Sequence, residues 1–385
     1  MSAPRVLIML NTDSAWSRGI LRGFMATAHE RGWALLHYNS SSDLRWLSQL
    51  APQAAVIGPE LDKAALRKLG PATLVCVTVD RTKEGIASVC LDEAAIARLA
   101  HEHLYATGVR NVSTFRYDQS QFAVERERAF VEAANAAGLR VAPGWGSGDA
   151  SPATREENPA AMTAWLRGLP KPCGVFTCTD GWGRTVARYA HLAGLRIPED
   201  IALVGADNDA LECELISPPL SSVVIPWHEV GQSAAKLVRA ALAGQPPEAA
   251  RVVIRPIAVV ARRSSDLLAV DDPLVARAVA WIRANVARRM TVTMVARAAA
   301  SGRHRMERAF RRALGRTVQE EIRRAHVDSA KRLLETSRSS LSEIAKLSGF
   351  TNPALLTVAF QREVGVTPGL YRRRVQQELT SADAG

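Results

Sequence analysis

Two patterns of hydrophobic positions divide the chain. In the first 265 residues, short apolar runs alternate with amphipathic stretches, as in RVLIMLN followed by RGILRGFMATAHERG. After Pro273 the strand-like runs cease and only helical spacing remains. Strand–helix alternation is typical of a parallel sheet that helices cover on both faces. We therefore predict an α/β region, with about eight strands in two lobes, followed by an all-α region.

The same patterns set the expected domain boundaries. We place the α/β domain at residues 1–265, a polar connector at 266–272, the helical domain at 273–376 and a frayed tail at 377–385. The helical domain is predicted to contain helices near residues 273–287, 293–299, 303–314, 317–337, 341–347, 353–364 and 367–375.

The helical region contains one unit twice. TMVARAAASGRHRMERAFRRALGRTVQEEIRR ends at Arg324, and SEIAKLSGFTNPALLTVAFQREVGVTPGLYRR runs from Ser342 to Arg373. Each copy is predicted as a short helix, a turn and a longer helix that ends at a glycine, Gly315 or Gly365. A helix-turn-helix places its second helix in the major groove of DNA. Two such units predict contacts with two successive major-groove segments, roughly 10 base pairs apart.

The charge distribution supports a nucleic-acid partner. Residues 273–376 contain 21 Lys and Arg against 7 Asp and Glu, whereas the rest of the chain contains 28 against 31. A compact basic domain beside a nearly neutral one is typical of DNA binding, because it concentrates positive charge against phosphates. An anionic membrane surface is the competing partner for such a charge.

The sequence lacks the signals that are typical of several other classes of protein. The start, MSAPRVLIMLN, does not resemble a signal peptide, and no apolar run approaches membrane-spanning length, so we expect a cytoplasmic protein with no membrane partner. The five cysteines lack paired CxxC spacing and are expected to be reduced. We find no nucleophile with its base, metal cluster or phosphate-binding glycine loop. We therefore expect no enzyme activity, no cofactor and no metal.

Helical spacing identifies candidate DNA-contacting residues. In the first unit Arg303, His304, Glu307 and Arg308 share one face, on which arginine can bind guanine in bidentate fashion. For Glu307 we favour a solvated or phosphate-orienting role over a base contact. Six further arginines are interpreted as phosphate contacts or surface charge: Arg311, Arg312, Arg323, Arg324, Arg362 and Arg372.

The second unit offers a different, largely apolar face. Asn352 is predicted to cap its longer helix, and Pro353 to occupy the first helical position. The exposed side then carries Ala354, Leu355, Thr357 and Val358, which can touch thymine methyl groups but form few hydrogen bonds. We predict that the first helix supplies most of the hydrogen-bonded readout.

Polar residues follow several predicted strands of the α/β region. Asp13 and Trp16 follow the first strand, Asp180 follows VFTCT, and Asp207 and Asn208 end or follow IALVGA. In open parallel sheets, ligands bind beyond the carboxyl ends of the strands. Carboxylates, amides and a flat indole suit a small polyhydroxylated ligand such as a sugar. Each aspartate could instead cap the following helix, and the sequence leaves both readings open.

The α/β region resembles a LacI/GalR-type effector domain, which has the periplasmic sugar-binding fold. The residues that carry the resemblance are IPEDIALVGADND, PPLSSVVIPWHEVGQSAAKLVRAALAG and RVVIRPIAVVARRSS. The resemblance implies that Arg126 and Asp207 hold sugar hydroxyls and that Asp13, Trp16 and Asp180 line the same cleft. That family places its DNA-binding helices before this domain, whereas here the helical domain follows it.

The helical region resembles the AraC/XylS family of transcription regulators through RHRMERAFRRALGR, DSAKRLLETS, LSEIAKLSGF and AFQREVGVTPGLYRR. It departs from that family's pattern at Ala300 and Gly302, where a turn glycine and a cap serine are usual, and at Leu356, where an aromatic is usual. A less rigid or shifted first turn is the expected consequence.

Together the two resemblances imply a ligand-responsive transcription regulator. We expect a homodimer on repeated half-sites, contact with RNA polymerase if it is an activator, and a small sugar effector, with a pentose such as xylose favoured. The alternatives are another sugar, a sugar acid, a nucleoside or no effector. A solute-binding transport protein is disfavoured, because it would need an export signal and no basic helical domain.

Overall fold

The computed structural model describes residues 3–38, 49, 51–59, 63–70, 72–146, 158–245, 247, 249–267 and 272–383. Within these ranges the chain forms 12 strands and 15 α-helices. It divides into two compact units, one of residues 1–93, 225–256 and 377–385, the other of residues 94–224 and 257–376. We call the α/β part of the first unit lobe 1 and that of the second lobe 2. Both α/β lobes and the all-α region were predicted, and this fold class is confirmed.

Lobe 1 is built on a six-stranded parallel sheet. In spatial order its strands are β11 (Arg251–Ile254), β5 (Ala87–Leu91), β4 (Thr73–Val77), β3 (Ala54–Ile57), β1 (Arg5–Met9) and β2 (Ala34–His37). Strands β3 and β5 are buried throughout, as expected where helices cover both faces. The helices are α1 (Ala15–Glu30), α2 (Lys63–Lys68) and α8 (Trp227–Leu242).

Two glycines allow the close packing of α1 on α8. A Cβ atom at Gly23 would overlap the carbonyl oxygen of His228, and one at Gly231 would overlap that of Ile20. Since any side chain at either position would separate the helices, this pair of glycines fixes how α1 is seated. The first turn of α1 carries Trp16, so this packing also positions that residue.

Lobe 2 has a second six-stranded sheet. Its spatial order is β12 (Val259–Val260), β10 (Ser221–Val224), β9 (Ile201–Asp207), β8 (Cys173–Thr177), β6 (Asn111–Phe115) and β7 (Arg140–Val141). All pairs are parallel except β10 with β12. The helices are α3 (Glu93–Ala106), α4 (Gln121–Ala136), α5 (Pro159–Gly168), α6 (Asp180–Leu192) and α7 (Ala210–Glu214), and a 3-10 turn spans Arg263–Ser265.

The helical region consists of seven helices: α9 (Pro273–Ala284), α10 (Val292–Ala298), α11 (Arg303–Leu314), α12 (Val318–Thr336), α13 (Leu341–Leu347), α14 (Pro353–Val364) and α15 (Pro368–Asp383). The first unit's core includes the fully buried Met306 and Phe310. Gly315 and Gly365 adopt the left-handed conformation at the ends of α11 and α14, as predicted.

Helix α15 continues to Asp383, whereas we predicted its end near residue 375 and a frayed tail from 377. The physical reason is that VQQELTSAD contains neither glycine nor proline to stop a helix. Of the connector expected at 266–272, residues 268–271 lie outside the described residues.

All five cysteines are buried free thiols. Across the described ranges, every helix is too short or too polar to cross a membrane. The same ranges contain no group of three or more metal-ligating side chains.

Candidate functional site

The backbone is strained where strand β9 ends in lobe 2. Asp207 has a φ of 111° and Asn208 a φ of 53°. Residues other than glycine seldom adopt positive φ, at a cost of about 1–3 kcal/mol each, and such strain concentrates at binding sites. Both are among the residues predicted to meet a ligand beyond the sheet.

Asn208 is held by two hydrogen bonds, and its amide NH2 group keeps both of its donors unused among the residues described. Its backbone N–H donates to Ser222 Oγ at 3.0 Å, and its Oδ1 accepts from Arg262 Nη2 at 2.9 Å. Since a guanidinium has only donors, the amide oxygen must face Arg262 and the NH2 group must point away. The side chain is 7% exposed, and its Nδ2 has no hydrogen-bond acceptor among the residues described.

Asp180 supports this loop from inside lobe 2. It begins α6 and is 1% exposed. Its carboxylate accepts from Ser222 Oγ at 2.6 Å and from the backbone N–H of Asp209 at 2.8 Å, and Cys213 Sγ lies at 3.5 Å. Burial raises the pKa of Asp180 to about 7. The carboxylate oxygens are therefore engaged within the lobe, and the helix cap is Thr179, whose side chain accepts from the N–H of Trp182.

Arg126 packs against Phe122, the first of two stacked aromatic rings. Its guanidinium is buried, donates from Nη1 to the carbonyl oxygen of Cys178 at 2.5 Å, and lies 5.0 Å from the Phe122 ring centroid. Phe122 in turn stacks on Trp182, with centroids 6.0 Å apart and planes at 25°. The sequence analysis identified Arg126 but missed this ring pair. Such rings present flat apolar faces, which suit the C–H groups of a sugar.

Lobe 1 presents its own candidates after strand β1. Asp13 is exposed, and its backbone N–H donates to the side-chain oxygen of Asn11. Trp16 is half-buried, with its ring 5.8 Å from that of Trp227. Both residues lie beyond the carboxyl end of β1, where the sequence placed them.

Ser222 and Arg262 also support the candidate site, and the sequence analysis did not identify them. They contact Asp180 and Asn208 across 42 and 54 residues of chain. Both lie in segments that carried the family resemblance, SSVVI and VARRSS, and that was the only signal available. No local spacing predicts such contacts.

The first helix-turn-helix consists of α10 and α11. Arg303, His304 and Arg308 are exposed on α11, opposite the buried face. Glu307 is half-buried, and its Oε2 accepts from the backbone N–H of Val318 at 3.4 Å, at the start of α12. Glu307 therefore faces the protein, whereas the three basic side chains face outward.

The second unit consists of α13 and α14. Asn352 caps α14 by accepting from the N–H of Leu355 at 2.9 Å, with Pro353 in the first turn, as predicted. Thr357 donates its hydroxyl to the carbonyl of Pro353 at 2.8 Å, and Ala354 is exposed. Leu355 and Val358 are 52% and 67% exposed. This outer face is apolar, in contrast to that of α11.

Three arginines assigned to phosphate contact or surface charge bond to other residues of the same chain. Arg323 pairs with Glu363 at 2.6 Å, Arg312 pairs with Asp272 at 3.2 Å, and Arg372 donates to the carbonyl of Ser339 at 2.6 Å. Arg311 and Arg362 are exposed, and Arg324 is half-buried. The pair Arg323–Glu363 links α12 to α14, so Arg323 positions the second recognition helix.

Two domain families match this sequence. Residues 101–265 match the periplasmic binding protein-like domain, and residues 295–374 match a helix-turn-helix domain. The first match covers most of lobe 2, its 3-10 turn, and α8 and β11 of lobe 1, and the second covers most of the two helix-turn-helix units.

This chain is similar to a known regulatory protein and to two solved structures. The xylose operon regulatory protein of Haemophilus influenzae is 28% identical over 296 residues, which is 74% of each chain. The solved structure of a xylose-binding transcription activator has a TM-score of 0.61 at 23% identity and covers 97% of this chain and 98% of its own. A cellobiose complex of the regulator CelR has a TM-score of 0.57 at 23% identity, over 68% of this chain and 84% of its own. The two solved structures share its fold.

Proposed function

We infer that this chain, a homologue of the xylose operon regulatory proteins and a DNA-binding transcription regulator rather than an enzyme, responds to a small sugar. The sugar binds beyond the strand ends of the periplasmic binding protein-like domain, and we favour a pentose such as xylose. The proposed ligand residues of lobe 2 are Asp207, Asn208 and Arg126. Asp13 and Trp16 of lobe 1 stay predictions from the family resemblance. Asp180 is proposed to act by holding the loop that carries Asn208.

The Nδ2 group of Asn208 carries the sugar proposal. A buried donor left without an acceptor costs about 1–3 kcal/mol, yet the surrounding network holds this amide in a single orientation. A sugar hydroxyl or ring oxygen would accept from it. The adjacent carboxylate of Asp207 can accept from two hydroxyls, and the stacked rings of Phe122 and Trp182 supply an apolar face.

The DNA proposal assigns different roles to the two recognition helices. Arg303, His304 and Arg308 read base edges through hydrogen bonds, because they are exposed and the buried face of α11 holds them outward. Asn352, Ala354, Thr357 and Val358 supply positioning and contacts with thymine methyl groups. Glu307 accepts a hydrogen bond from the start of α12, and we propose that it contacts no base.

A sugar-binding experiment tests the effector. We expect D-xylose to raise the melting temperature of the full chain more than D-ribose, L-arabinose, D-gluconate, a nucleoside or cellobiose does, because a ligand that binds only the folded state stabilises it. Asp207→Asn keeps the shape and the tolerance of positive φ but removes the charge. Losing a hydrogen bond to a charged group costs about 1.5–3 kcal/mol, so the Kd should rise roughly 10- to 150-fold.

Asp209→Asn is the matched control, because the carboxylate of Asp209 accepts from the backbone of α7 instead. Its affinity for the sugar should match that of the wild type. Preference for a different compound would reassign the effector, and no shift with any compound would refute sugar binding. Equal losses in the two variants would remove Asp207 from the site.

We also propose that the regulator is a homodimer in the cytoplasm, with RNA polymerase as a partner if it is an activator. Leu192, Leu211 and Leu215 of lobe 2 are 59–65% exposed, and a second copy of the chain is the partner we assign to them. Leu211→Glu with Leu215→Glu should give a monomer by analytical ultracentrifugation, whereas Leu347→Glu, an exposed leucine of α13, should not. A wild-type monomer would contradict the assignment.

A further inference from the structure

Arg262 lies where lobe 2 leads into the helical domain. It follows β12 by two residues and precedes the Arg263–Ser265 turn. Its guanidinium donates from Nη2 to Asn208 Oδ1 and from Nη1 to the carbonyl of Leu220, both at 2.9 Å. Its backbone is fixed by Ser221, whose Oγ accepts from the N–H at 2.7 Å and donates to the carbonyl at 3.0 Å. Arg262 thus joins the loop that carries Asn208 to the segment from Val259 to Arg262, which we call the exit segment.

Helix α12 of the helical domain contacts the same segment. Lys331 donates from Nζ to the carbonyl of Val259, three residues before Arg262, at 3.4 Å. One turn further along α12, Glu335 accepts from the hydroxyl of Tyr371 of α15 at 2.5 Å. Burial raises the pKa of Glu335, and the positive charges of Lys331 and Arg262 oppose that rise. The charge of Arg262 therefore acts both on the Asp180 network and on α12.

Helix α12 is the connection between the two helix-turn-helix units. Its first turn meets Glu307 of α11 through Val318, and its Arg323 pairs with Glu363 of α14. A displacement of α12 would therefore reach both recognition helices. The exit segment from Val259 to Arg262 lies between the ligand loop on one side and this helix on the other.

We propose that Arg262 is the residue that couples the Asn208 loop to α12, and through α12 to both recognition helices. The role rests on the proposed function in that Asn208 is the group a sugar engages. A ligand that accepts from Nδ2 draws the amide toward itself, while the amide oxygen stays bonded to Arg262. The guanidinium follows the oxygen, and the segment that holds Lys331 moves with it. Arg262 is a positioning residue that touches no ligand itself.

A ligand-free comparison tests this role. Asn208→Gly removes the acceptor and tolerates the positive φ of this position, so hydrogen exchange of the α12 amides (Val318–Thr336) should accelerate several-fold in a chain that contains Arg262. In an Arg262→Gln chain, the added Asn208→Gly change should leave α12 exchange as it was. Arg263→Gln is the matched control, since Arg263 is the exposed neighbouring arginine, and it should preserve the response. The proposal is overturned if Asn208→Gly acts equally in both backgrounds or has no effect in either.

Arg262→Lys keeps the charge but replaces the planar fork, whose Nη2 and Nη1 bond Asn208 and Leu220 separately, with a single ammonium nitrogen. It provides the same comparison if Arg262→Gln does not fold, and it should also abolish the response. A retained response would assign the coupling to charge alone and so overturn the hydrogen-bonded route.

D-xylose separates this inference from the proposed function. At saturating D-xylose, α12 exchange should change in the wild type and stay constant in Arg262→Gln, with saturation of each protein established by calorimetry. If the wild type does not bind D-xylose, the favoured effector is wrong, while the ligand-free comparison still decides the role of Arg262. If it binds and α12 responds equally in both proteins, the coupling role is refuted and the effector stands.

Discussion

At the scale of single residues, Arg308 is predicted to contribute to specific DNA binding far more than to non-specific DNA binding. Arg308→Ala should weaken operator binding by about 1–3 kcal/mol, because it removes hydrogen bonds to a base edge. Binding to DNA of shuffled sequence should change far less, because phosphate attraction depends on total charge. Fluorescence anisotropy on both DNAs at one salt concentration measures the ratio.

Arg277→Ala controls for the loss of charge, since Arg277 is exposed on α9 rather than on α11. It should weaken binding to both DNAs by a similar small factor. If Arg308→Ala behaved in the same way, with no loss of preference for operator, Arg308 would be a phosphate contact and the assigned reading face of α11 would be wrong.

His103 predicts an acid-sensitive stability. Its Nε2 lies 2.6 Å from Ser265 Oγ. Desolvation lowers its pKa to about 4, and neighbouring charges modulate this shift: Lys331 and Arg324 lower it, and Asp328 and Asp266 raise it. A lowered histidine pKa means that the folded state binds fewer protons than the unfolded chain between about pH 4 and pH 6.5. The stabilisation is present above pH 6.5 and is lost as the pH falls through about 4.

Urea unfolding at pH 7.0 and pH 4.5 measures this effect. The free energy of unfolding should fall between the two pH values, and the fall should be smaller in His103→Gln. His191→Gln changes an exposed histidine of α6, so its free energy of unfolding should fall as much as that of the wild type. An identical pH dependence in all three proteins would show that His103 is not the responsible group.

At the scale of elements, the two helix-turn-helix turns place different residues in the left-handed conformation. Ala300 has a φ of 52° in the first turn, and Gly349 has a φ of 78° in the second. Ala300→Gly should raise the free energy of unfolding by about 0.5–1 kcal/mol, since relief of left-handed strain outweighs the added flexibility of the unfolded chain. Gly349→Ala should lower it by about 2 kcal/mol or more, because strain and overlap combine.

The overlap at Gly349 is specific. An added Cβ would lie 2.6 Å from the carbonyl oxygen of Val286 and 2.7 Å from His326 Nε2. Gly369→Ala is the control, since nothing lies within 4 Å of the position of its Cβ. Thermal unfolding of the full chain provides the comparison, and a neutral Gly349→Ala or a destabilising Ala300→Gly would contradict the account.

The sequence predicted helix starts better than the last helix end, and the reason is local. Thr317 and Ser340 form capping boxes with Glu320 and Glu343, and Asn352 caps α14, all through contacts within four residues. Such signals can be read directly from the chain. The end of α15 carries no stop signal, so composition alone misplaced it.

At the scale of the whole molecule, periodicity predicted the order of an α/β region and an all-α region, because burial on a sheet or helix sets the spacing of apolar residues. It also predicted which strand ends carry polar residues. It could not predict that Asp180 turns inward toward Ser222, or that Arg262 reaches Asn208, because those choices depend on tertiary contacts more than 40 residues apart. The sequence therefore predicted where the candidate site lies. The hydrogen bonds that support it could be identified only from the structure.

Reciprocity provides a test of the complete regulator. If D-xylose and operator DNA bind one chain through linked states, D-xylose must change the affinity for DNA by the same factor by which DNA changes the affinity for D-xylose. We expect a factor of roughly 5–150, measured by anisotropy with and without the sugar and by calorimetry with and without the operator. Because Arg262 is the proposed link, Arg262→Gln should bring both factors toward one together, while Arg263→Gln leaves them unchanged. If both factors in Arg262→Gln stayed at the wild-type value, Arg262 would have no part in the coupling.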